Sequence, residues 1–516
     1  MKFRDDYFSE KVLFFYPNTE STPGIPVAIP ILAGIAKKLG WGRVFFDTFP
    51  YAKKSINKDR ENVGGFKMTP LSTFSAKKSQ KDMVPDIQSF VNLYSPKIIA
   101  ITCMAINYEF LTSFWNKIHI PKDCIVIVGG VFCVLCPEEA AKSKMFDLIF
   151  TGEGDDAFKE LLEKIADNGD ISKIDGTTFF DRKRKQHKYN NNRALIDECR
   201  LWDTEQDYSI FDDQHFNNPY DGKILRKLTF EFARGCPYDC AYCANTAVKD
   251  AFGVGNNFLR KRPLRSAIDH LKNIVNTLNI DIITIVDDCF LAKPKEWLEE
   301  FSRLYSDEIG IPFLIQTRAE SINEERIKIL NKIEIPYYQL TIGVESGSER
   351  ILFDLCNRNS KVSSIKKAFR IISQYEHIRS CGLFIIGFPT ETKEEIFQTI
   401  WLARELQPKI AHVAIFQPFP GTRLRDVCIE KGFIGEDDPQ TLYTEESMLR
   451  MPQISQEEIS SLSRVFMLYV YLPSELFSMI RLCENDYENH RDLHAELVKY
   501  RWNPDTEQYN KLISMS

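Results

Sequence analysis

The stretch FARGCPYDCAYCAN, residues 232–245, places three cysteines within eight positions: Cys236, Cys240 and Cys243. Thiolates at this density usually ligate a metal. Zinc would need a fourth soft ligand close by, but the nearest flanking cysteines, Cys199 and Cys289, lie far outside any zinc-finger spacing. We therefore predict that the three thiolates hold an iron–sulfur cubane and leave one iron open to a substrate or cofactor.

The bulk properties of the chain narrow its class. A length of 516 residues favours two or three domains, and 44% hydrophobic with 27% charged residues is typical of a soluble globular protein. The net charge of −6 argues against a nucleic-acid partner. The sequence contains no run of about 18 uncharged apolar residues, so it predicts no membrane span. The N-terminus MKFRDDYFSE lacks the apolar run of an export signal, so we expect a cytoplasmic protein whose 13 cysteines serve metal ligation rather than disulfides.

Residues 1–165 alternate short apolar runs with helical patterns. The runs, rich in Val, Ile and Phe, are typical of buried parallel strands and cover 11–17, 42–49, 97–105, 124–130 and 147–154. Five strands with intervening helices predict a doubly wound, flavodoxin-like α/β domain. The polar stretch 166–225 predicts a linker with room for a small hairpin.

A second alternating pattern covers residues 226–425. Its predicted strands are TFEFARG (229–235), 280–288, 312–318, 337–346, 381–387 and 411–420. Six strand–helix units indicate a partial (β/α)6 barrel with catalytic groups at the carboxyl ends of the strands. The cysteine loop follows the first of these strands, where such a barrel would place a catalytic loop. Residues 426–516 are predicted to be mainly helical.

The spacing C-x-x-x-C-x-x-C, with Tyr242 just before the last cysteine, resembles the radical S-adenosylmethionine (SAM) superfamily. The order of the later motifs resembles its members with a cobalamin-binding N-terminal domain, the class B methyltransferase-like group. The resemblance implies a 4Fe-4S cluster on Cys236, Cys240 and Cys243 whose open iron chelates SAM. Reductive cleavage of SAM would give a 5′-deoxyadenosyl radical, with the electron coming from a donor such as flavodoxin or ferredoxin.

The resemblance also implies SAM-binding positions at the strand ends. ITIVDDCF (283–290) ends in two carboxylates, IQTRA (315–319) offers an arginine that can pair a carboxylate bidentately, and GLFIIGFPTET (382–392) resembles the adenine-side strand. The candidates for SAM contact are Tyr242, Asp288, Gln316, Arg318, Glu345 and Gly387. For Asp288 and Glu345 an alternative remains open, because acidic and Ser residues also cap helices.

The N-terminal pattern resembles the cobalamin-binding domain of the same group. Ligands of doubly wound sheets lie at the carboxyl ends of the strands, where this chain has Thr102, Gly129, Gly130, Gly152 and Glu153. The Asp-x-His-x-x-Gly motif of corrinoid proteins is absent, and no histidine precedes His119. Bound cobalamin should therefore be base-off without a histidine ligand; the alternative is a degenerate domain that binds no cofactor.

These patterns favour a radical SAM enzyme that uses cobalamin to transfer a methyl group to an unactivated carbon or phosphorus of a small molecule or natural-product intermediate. SAM would serve twice, as methyl donor and as radical source. One alternative keeps the cluster and SAM but performs cyclisation or rearrangement. A third hypothesis, from another class, is a cobalamin-binding or redox sensor with a structural cluster. No further residue is predicted to act directly in catalysis.

Overall fold

A computed structural model describes residues 10–52, 78–201, 203, 205–436, 438 and 446–514. Residues 1–9, on which the export-signal prediction depends, lie outside this part. Within it, no helix combines the length and apolar character that crossing a bilayer would require. All thirteen cysteines lie in the described part of the chain, and none of them forms a disulfide.

The first sheet has the order β2-β1-β3-β4-β5-β6-β7 in the described part of the chain. The first five strands are parallel, in the 2-1-3-4-5 order of flavodoxin-like folds. A hairpin of β6 and β7, within the stretch predicted as a linker, continues the sheet antiparallel to β5. The strands are β1 (Lys11–Tyr16), β2 (Gly42–Asp47), β3 (Ile98–Thr102), β4 (Ile125–Gly129), β5 (Leu148–Phe150), β6 (Thr177–Asp181) and β7 (Gln186–Tyr189).

Helices cover both faces of this sheet, which explains the continuous apolar runs. In β1 the side chains of Val12 and Phe14 join one core, and those of Leu13 and Phe15 join the other. Strands buried on both faces need apolar residues at every position. The helices are α1 (Ala28–Lys38), α2 (Gln80–Tyr94), α3 (Ala105–Trp115), α4 (Val131–Leu135), α5 (Pro137–Lys142) and α6 (Gly154–Ala166).

The second sheet has the order β16-β15-β14-β13-β12-β9-β8. Its six strands from β9 to β16 are parallel, with β8 antiparallel at one edge, and this confirms the partial barrel. A separate short pair, β10 with β11, flanks the cysteine loop. The strands are β8 (Asn217–Tyr220), β9 (Lys223–Phe230), β10 (Ala233–Arg234), β11 (Arg260–Lys261), β12 (Ile282–Ile285), β13 (Phe313–Arg318), β14 (Tyr338–Glu345), β15 (Ile378–Ile386) and β16 (Ile410–Ile415).

The barrel helices alternate with these strands, and the C-terminal region is helical as predicted. Helix α14 begins with a capping box at Ser455 and packs on β16 and α12. The barrel helices are α7 (Ala244–Phe252), α8 (Leu264–Leu278), α9 (Lys295–Glu308), α10 (Glu324–Leu330), α11 (Val362–Ile372), α12 (Lys393–Leu406) and α13 (Arg423–Glu430). The C-terminal helices are α14 (Gln456–Tyr471), α15 (Phe477–Asn485), α16 (Arg491–Trp502) and α17 (Thr506–Ser514).

Ion pairs connect the two sheets close to the cysteine loop. Both carboxylate oxygens of Glu153, at the start of α6, accept from Arg260 of β11, at 2.7 and 2.9 Å. Arg234 of β10 donates to both oxygens of Asp155, at 3.0 and 3.1 Å. Because these groups are largely shielded from water, the pairs fix the orientation of the barrel relative to the first sheet.

The turn after β4 depends on Gly130, which has φ of +112°. A methyl group at this position would lie 2.9 Å from the backbone N of Cys103 and closer still to its carbonyl oxygen. Backbone cannot move aside as a flexible side chain can, so both the dihedral angle and the close approach require glycine.

We therefore expect Gly130→Ala to lower the melting temperature of the protein by about 2 °C or more, since strain at a left-handed position costs about 1–3 kcal/mol. Gly152→Ala is the matched control, because its methyl group would meet only Phe252 at an ordinary 3.6 Å. Thermal melts followed by circular dichroism compare the two. Equal melting temperatures for the two variants would contradict this account of the turn.

Candidate active site

The cysteine loop runs from β10 to α7 and starts with a tight turn at Gly235. This residue has φ of +87°, and a methyl group there would overlap the carbonyl oxygen of Phe258 and lie 2.9 Å from its ring. Only glycine fits this turn. The loop then places Cys236 and Cys240 before α7, and Cys243 is the residue that caps that helix.

A buried ion pair fixes the start of the loop. Asp287, after β12, accepts from the backbone N–H groups of Phe232 at 2.7 Å and Ala233 at 3.0 Å. Its other oxygen accepts from Lys293 at 2.6 Å, and the Lys293 side chain is 0% exposed. Lys293 also lies over the Phe290 ring, 4.2 Å from its centroid. Asp287 therefore supports the loop, which leaves its neighbour Asp288 as the carboxylate that faces the thiols.

The three thiols influence one another electrostatically and are largely withdrawn from water. Desolvation raises the pKa of Cys236 to about 12 and that of Cys243 to about 11, while the backbone N–H groups of Asn245 and Thr246 oppose the shift at Cys243. The Cys240 thiol lies 3.6 Å from Arg318 Nη1. Cationic and helix-N-terminal surroundings favour thiolates once a metal takes the proton's place.

In the described ranges, no three His, Cys, Asp or Glu side chains are arranged around one point as a single metal ion requires. A cubane is a different case, because it binds each thiolate through a separate iron. The three thiols, without any disulfide partner, provide the donor set for such a cluster.

Asp288 lies beside this loop. Desolvation raises its pKa, although its residue surface is exposed, because protein surrounds the carboxyl group on several sides. The side chain of Asn245 and the backbone N–H of Gly235 stabilise its ionised form. The Asp288 charge also raises the pKa of Cys236 and Cys243, so the structure brings this predicted residue to the thiols.

Successive residues of β13 alternate between the face covered by helix α9, where Phe313 packs against Phe301 and Tyr305, and the face toward the inside of the barrel. Phe313, Ile315 and Thr317 are buried, whereas Gln316 is exposed and Arg318 half-buried on the opposite face. The Arg318 guanidinium lies 4.0 Å from the centroid of the Tyr238 ring and donates to Glu320 at 2.6 Å. Arg318 is therefore already paired with Glu320, so a SAM carboxylate would have to share the Arg318 guanidinium with that residue.

Glu345 ends β14 at a bulge, with φ of +67°. Its Oε1 accepts from Tyr242 Oη at 3.0 Å and from Arg358 Nη1 at 2.7 Å. Desolvation raises its pKa, and Arg358 opposes that shift. No described residue bonds Oε2, which leaves that oxygen for a ligand hydroxyl or amine. Non-glycine residues with positive φ often mark functional positions, because strain persists only where surroundings impose it.

Sequence reasoning missed two charged residues of this site, Arg358 and Glu320. Arg358, only 1% exposed, donates from Nη1 to Glu345 and from Nη2 to Glu320 at 3.2 Å and to the Gly343 carbonyl at 2.9 Å. It lies in the loop before α11, and Glu320 lies just after β13. Neither position belongs to a motif; an arginine surrounded by small polar residues in LCNRNS gave no signal.

Gly387 lies at the end of β15 with φ of +78°. A methyl group there would be 2.9 Å from the Ile459 side chain of α14, so packing and backbone conformation both require glycine. Its N–H donates to Glu391 at 2.6 Å, and burial raises the pKa of that carboxyl to about 8. The following residue, Phe388, contacts the Tyr242 ring at a centroid distance of 6.1 Å. A SAM contact at Gly387 stays a prediction.

All five residues predicted for the second cofactor line one cavity of about 430 Å³ between the first sheet and the barrel. Its sheet side contains the strand ends, and its barrel side contains Val248 and Phe252 of α7. The lining is mostly apolar, and the volume lies within the range of about 300–1,000 Å³ usual for small-molecule sites. The predicted lining residues are Thr102, Gly129, Gly130, Gly152 and Glu153.

Two of these residues, Glu153 and Gly130, also stabilise the fold itself. The Glu153 carboxylate is engaged by Arg260, and its Oε2 also accepts from the Ile196 N–H at 2.9 Å. A side chain at Gly130 would meet the backbone of Cys103 rather than fill the cavity, so a substitution there would test the turn and not ligand binding. A Gly152 side chain would instead point toward Phe252 across the cavity.

Comparison with known proteins adds to this geometry. Residues 230–403 match the Radical SAM superfamily model. The chain is 25% identical to an uncharacterized methyltransferase of Pyrococcus horikoshii, over 78% of this chain and 84% of the relative. It is 22% identical to the cytidylyl-2-hydroxyethylphosphonate methyltransferase of Streptomyces wedmorensis, over 86% and 85%. It is 21% identical to the anaerobic magnesium-protoporphyrin IX monomethyl ester cyclase of Rubrivivax gelatinosus, over 80% and 68%.

Solved structures share the whole architecture. The methyltransferase TsrM of Kitasatospora setae, with cobalamin and a [4Fe-4S] cluster bound, superposes with a TM-score of 0.61 at 15% identity, over 84% of this chain and 76% of its own. OxsB, with aqua-cobalamin and SAM bound, gives a TM-score of 0.61 at 15% identity, over 98% and 75%. At this identity the likeness concerns the fold.

The barrel of this chain is thus a radical SAM domain, with the cysteine motif at its first strand and charged groups at the ends of later ones. The protein is a radical SAM enzyme. Its cofactors include a 4Fe-4S cluster and SAM, and it needs a reductant and a substrate.

The cluster assignment predicts that Cys236, Cys240 and Cys243 together are required for iron binding. After anaerobic reconstitution, the triple Ala variant should hold no 4Fe-4S cluster and cleave no SAM. Cys289→Ser is a matched control, because this buried thiol lies beside Cys236 and, among the described residues, hydrogen-bonds to Thr317 and Ser321. Iron analysis and electron paramagnetic resonance measure the outcome. A fully loaded triple variant would refute the assignment.

The charge network predicts that Arg358 controls SAM binding through Glu345. Lysine keeps the charge but cannot donate to Glu345, Glu320 and Gly343 together. Losing a charge-assisted bond costs about 1.5–3 kcal/mol, so Arg358→Lys should weaken SAM binding by about ten- to a hundredfold. Glu345→Gln and Arg318→Ala should act in the same direction.

Arg350→Lys provides the control for that series, because Arg350 pairs with Glu395 outside the network at 2.6 Å. Titration calorimetry with the reconstituted protein measures SAM affinity, and iron content verifies cluster loading. If Arg358→Lys and Arg350→Lys bind SAM equally, the network does not position the ligand.

Proposed function

We propose that this protein is a cobalamin-dependent radical SAM methyltransferase that transfers a methyl group to an unactivated carbon or phosphorus of a small-molecule substrate. The observation that carries the proposal is the cavity at the strand ends of the flavodoxin-like sheet, whose barrel wall belongs to the helix that starts at Cys243. A site for a second cofactor therefore adjoins the SAM site. The named methyltransferase relatives and the shared fold support the same function.

The residues present fit cobalamin. The wall is apolar, and glycine at 152 leaves a recess that a larger side chain would occupy. No described histidine is among the lining residues, in keeping with a base-off cofactor. Gly129, Gly152 and Thr102 would hold it at the strand ends. When bound, cobalamin supplies a cobalt centre through which a methyl group can pass between SAM and substrate.

This chain's own residues prepare SAM for two uses. The thiolates would leave one iron open for the amino and carboxylate groups of SAM. Arg318 and Asp288 offer side chains of opposite charge type beside the cysteine thiols, and the uncommitted Oε2 of Glu345 could accept from a ligand hydroxyl or amine. The buried ion pairs hold these groups before the ligand arrives, which reduces the cost of reorganisation. A sensor with a structural cluster would have no use for this charge arrangement.

Reduction of the cluster requires a partner, and we propose a flavodoxin or ferredoxin acting in the cytoplasm. Thirteen cysteines without a disulfide suit a reducing compartment. The net charge of −6 gives no support to a nucleic-acid partner. The substrate is therefore proposed to be a small molecule.

The second candidate function is radical cyclisation or rearrangement, which the cyclase relative of Rubrivivax gelatinosus favours. The products formed from SAM distinguish methyl transfer from cyclisation or rearrangement. Methyl transfer should yield S-adenosylhomocysteine alongside 5′-deoxyadenosine, whereas the alternative should yield 5′-deoxyadenosine alone. Liquid chromatography and mass spectrometry of the reconstituted enzyme with reductant measure both.

Cofactor binding gives a direct test. Protein reconstituted anaerobically with hydroxocobalamin should retain it stoichiometrically after gel filtration, with a base-off visible spectrum. Gly152→Leu should reduce retention at least about tenfold, because its side chain fills the recess facing Phe252. Gly152→Ala, whose methyl group makes only ordinary contact, should retain it. Absence of retention by the unaltered protein would remove cobalamin from the proposal and favour the cyclase.

A further inference from the structure

The cavity between sheet and barrel contains few polar side chains, and most of them are already engaged. Both oxygens of Glu153 bind Arg260, and both oxygens of Asp155 bind Arg234. Arg234 in turn donates from Nε to Glu231 at 3.1 Å. The charged groups of this network therefore use nearly all of their hydrogen-bonding atoms on one another, and few are left for a ligand.

Glu231 is the exception on the barrel side. It directly follows β9 and lines the cavity, with a side chain only 12% exposed. Its Oε2 accepts from Arg234, but no described residue bonds its Oε1. On the sheet side, no described residue bonds the hydroxyl of Thr102. An unbonded carboxyl oxygen on a mostly buried side chain that lines a cavity is available to a ligand or to water.

We propose that Glu231 is the polar anchor of this cavity, with its Oε1 accepting a hydrogen bond from an N–H or O–H group of bound cobalamin while Oε2 stays on Arg234. This inference rests on the proposed function. The cofactor offers two kinds of donor, the primary amides around the corrin and the hydroxyl groups of the nucleotide tail. Both have the chemistry that a carboxylate accepts.

The anchor gives the binding a pH dependence. Burial raises the pKa of Glu231 to about 7, with Arg234 opposing the shift and Asp287 and Asp155 adding to it. An ionised carboxylate accepts stronger hydrogen bonds than a protonated one. A bound donor therefore lowers this pKa, and affinity should rise as pH increases through about 7.

The other charged and titratable groups near Glu231 do not reverse the predicted rise of affinity with pH. The charged and titratable side chains around it are Arg234, Asp155, Asp287, Tyr208 and Arg262. Burial keeps the pKa of Tyr208 far above this range, and Arg262 stays cationic with a pKa of about 10. Glu231 is the group among them whose pKa lies near neutrality.

The test measures hydroxocobalamin binding by the full-length, cluster-loaded protein at pH 6, 7 and 8. A one-unit fall in the Glu231 pKa on binding corresponds to about fivefold tighter binding at pH 8 than at pH 6. Glu231→Gln should bind about three- to tenfold more weakly at pH 8 and lose that part of the pH dependence. Any titration of the probe itself appears equally in this variant.

Glu198→Gln is the matched control, because Glu198 pairs with Lys261 at 3.3 Å outside the cavity. Iron content and melting temperature verify that each variant is folded. Dicyanocobinamide, which has the corrin amides but no nucleotide tail, separates the donors. An effect of Glu231→Gln that persists with this probe assigns an amide, and an effect that disappears assigns a tail hydroxyl; both support the anchor.

Two results would overturn the inference, and they differ. If the unaltered protein retains hydroxocobalamin but Glu231→Gln matches it in affinity and pH profile, Glu231 is not an anchor and the proposed function stands. If the unaltered protein retains none at any pH, the cobalamin part of the proposed function fails together with the inference.

Discussion

The site depends on one buried guanidinium. Arg358 joins Glu345 to Glu320, Glu320 joins Arg318, and Arg318 reaches the Cys240 thiol. The series closes on the cysteine loop, because Tyr242 next to Cys243 donates back to Glu345. Two cations and two anions balance within this ring. Breaking a buried pair leaves an uncompensated charge at a cost of about 3–5 kcal/mol, so the ring can hold its geometry without a ligand.

A second set of charges relates the barrel to the flavodoxin-like sheet. Two ion pairs join the two domains on one side of the cavity: Glu153 with Arg260, and Asp155 with Arg234. Arg234 lies immediately before Gly235, at the start of the cysteine loop. The residue that opens the cluster loop therefore also contacts the first domain. The cysteine loop and the cavity therefore share a boundary that these ion pairs hold in place.

The sequence predicted the elements whose signal is local. Continuous apolar runs such as KVLFFY predict strands covered on both faces, and β1 shows the two cores on alternate residues. Strand-end residues such as Arg318 and Glu345 could be selected because parallel strands end at one edge. Arg358 and Glu320 lie in connections, where only tertiary folding brings them to the site. The reason for glycine at 130 likewise depends on the backbone of Cys103, which follows another strand, β3.

Helix α7 connects the cysteine loop and the cavity in the most direct way. Its N-terminus is capped by Cys243, whose thiol the first-turn N–H groups favour as an anion. One turn and two turns further on, Val248 and Phe252 line the cavity, and α4, which follows Gly130, packs against the same helix. A ligand that fills the cavity must contact this helix. The thiol of Cys243 and the wall residues Val248 and Phe252 therefore belong to one helical segment, which fixes the distance between the cysteine loop and the cavity.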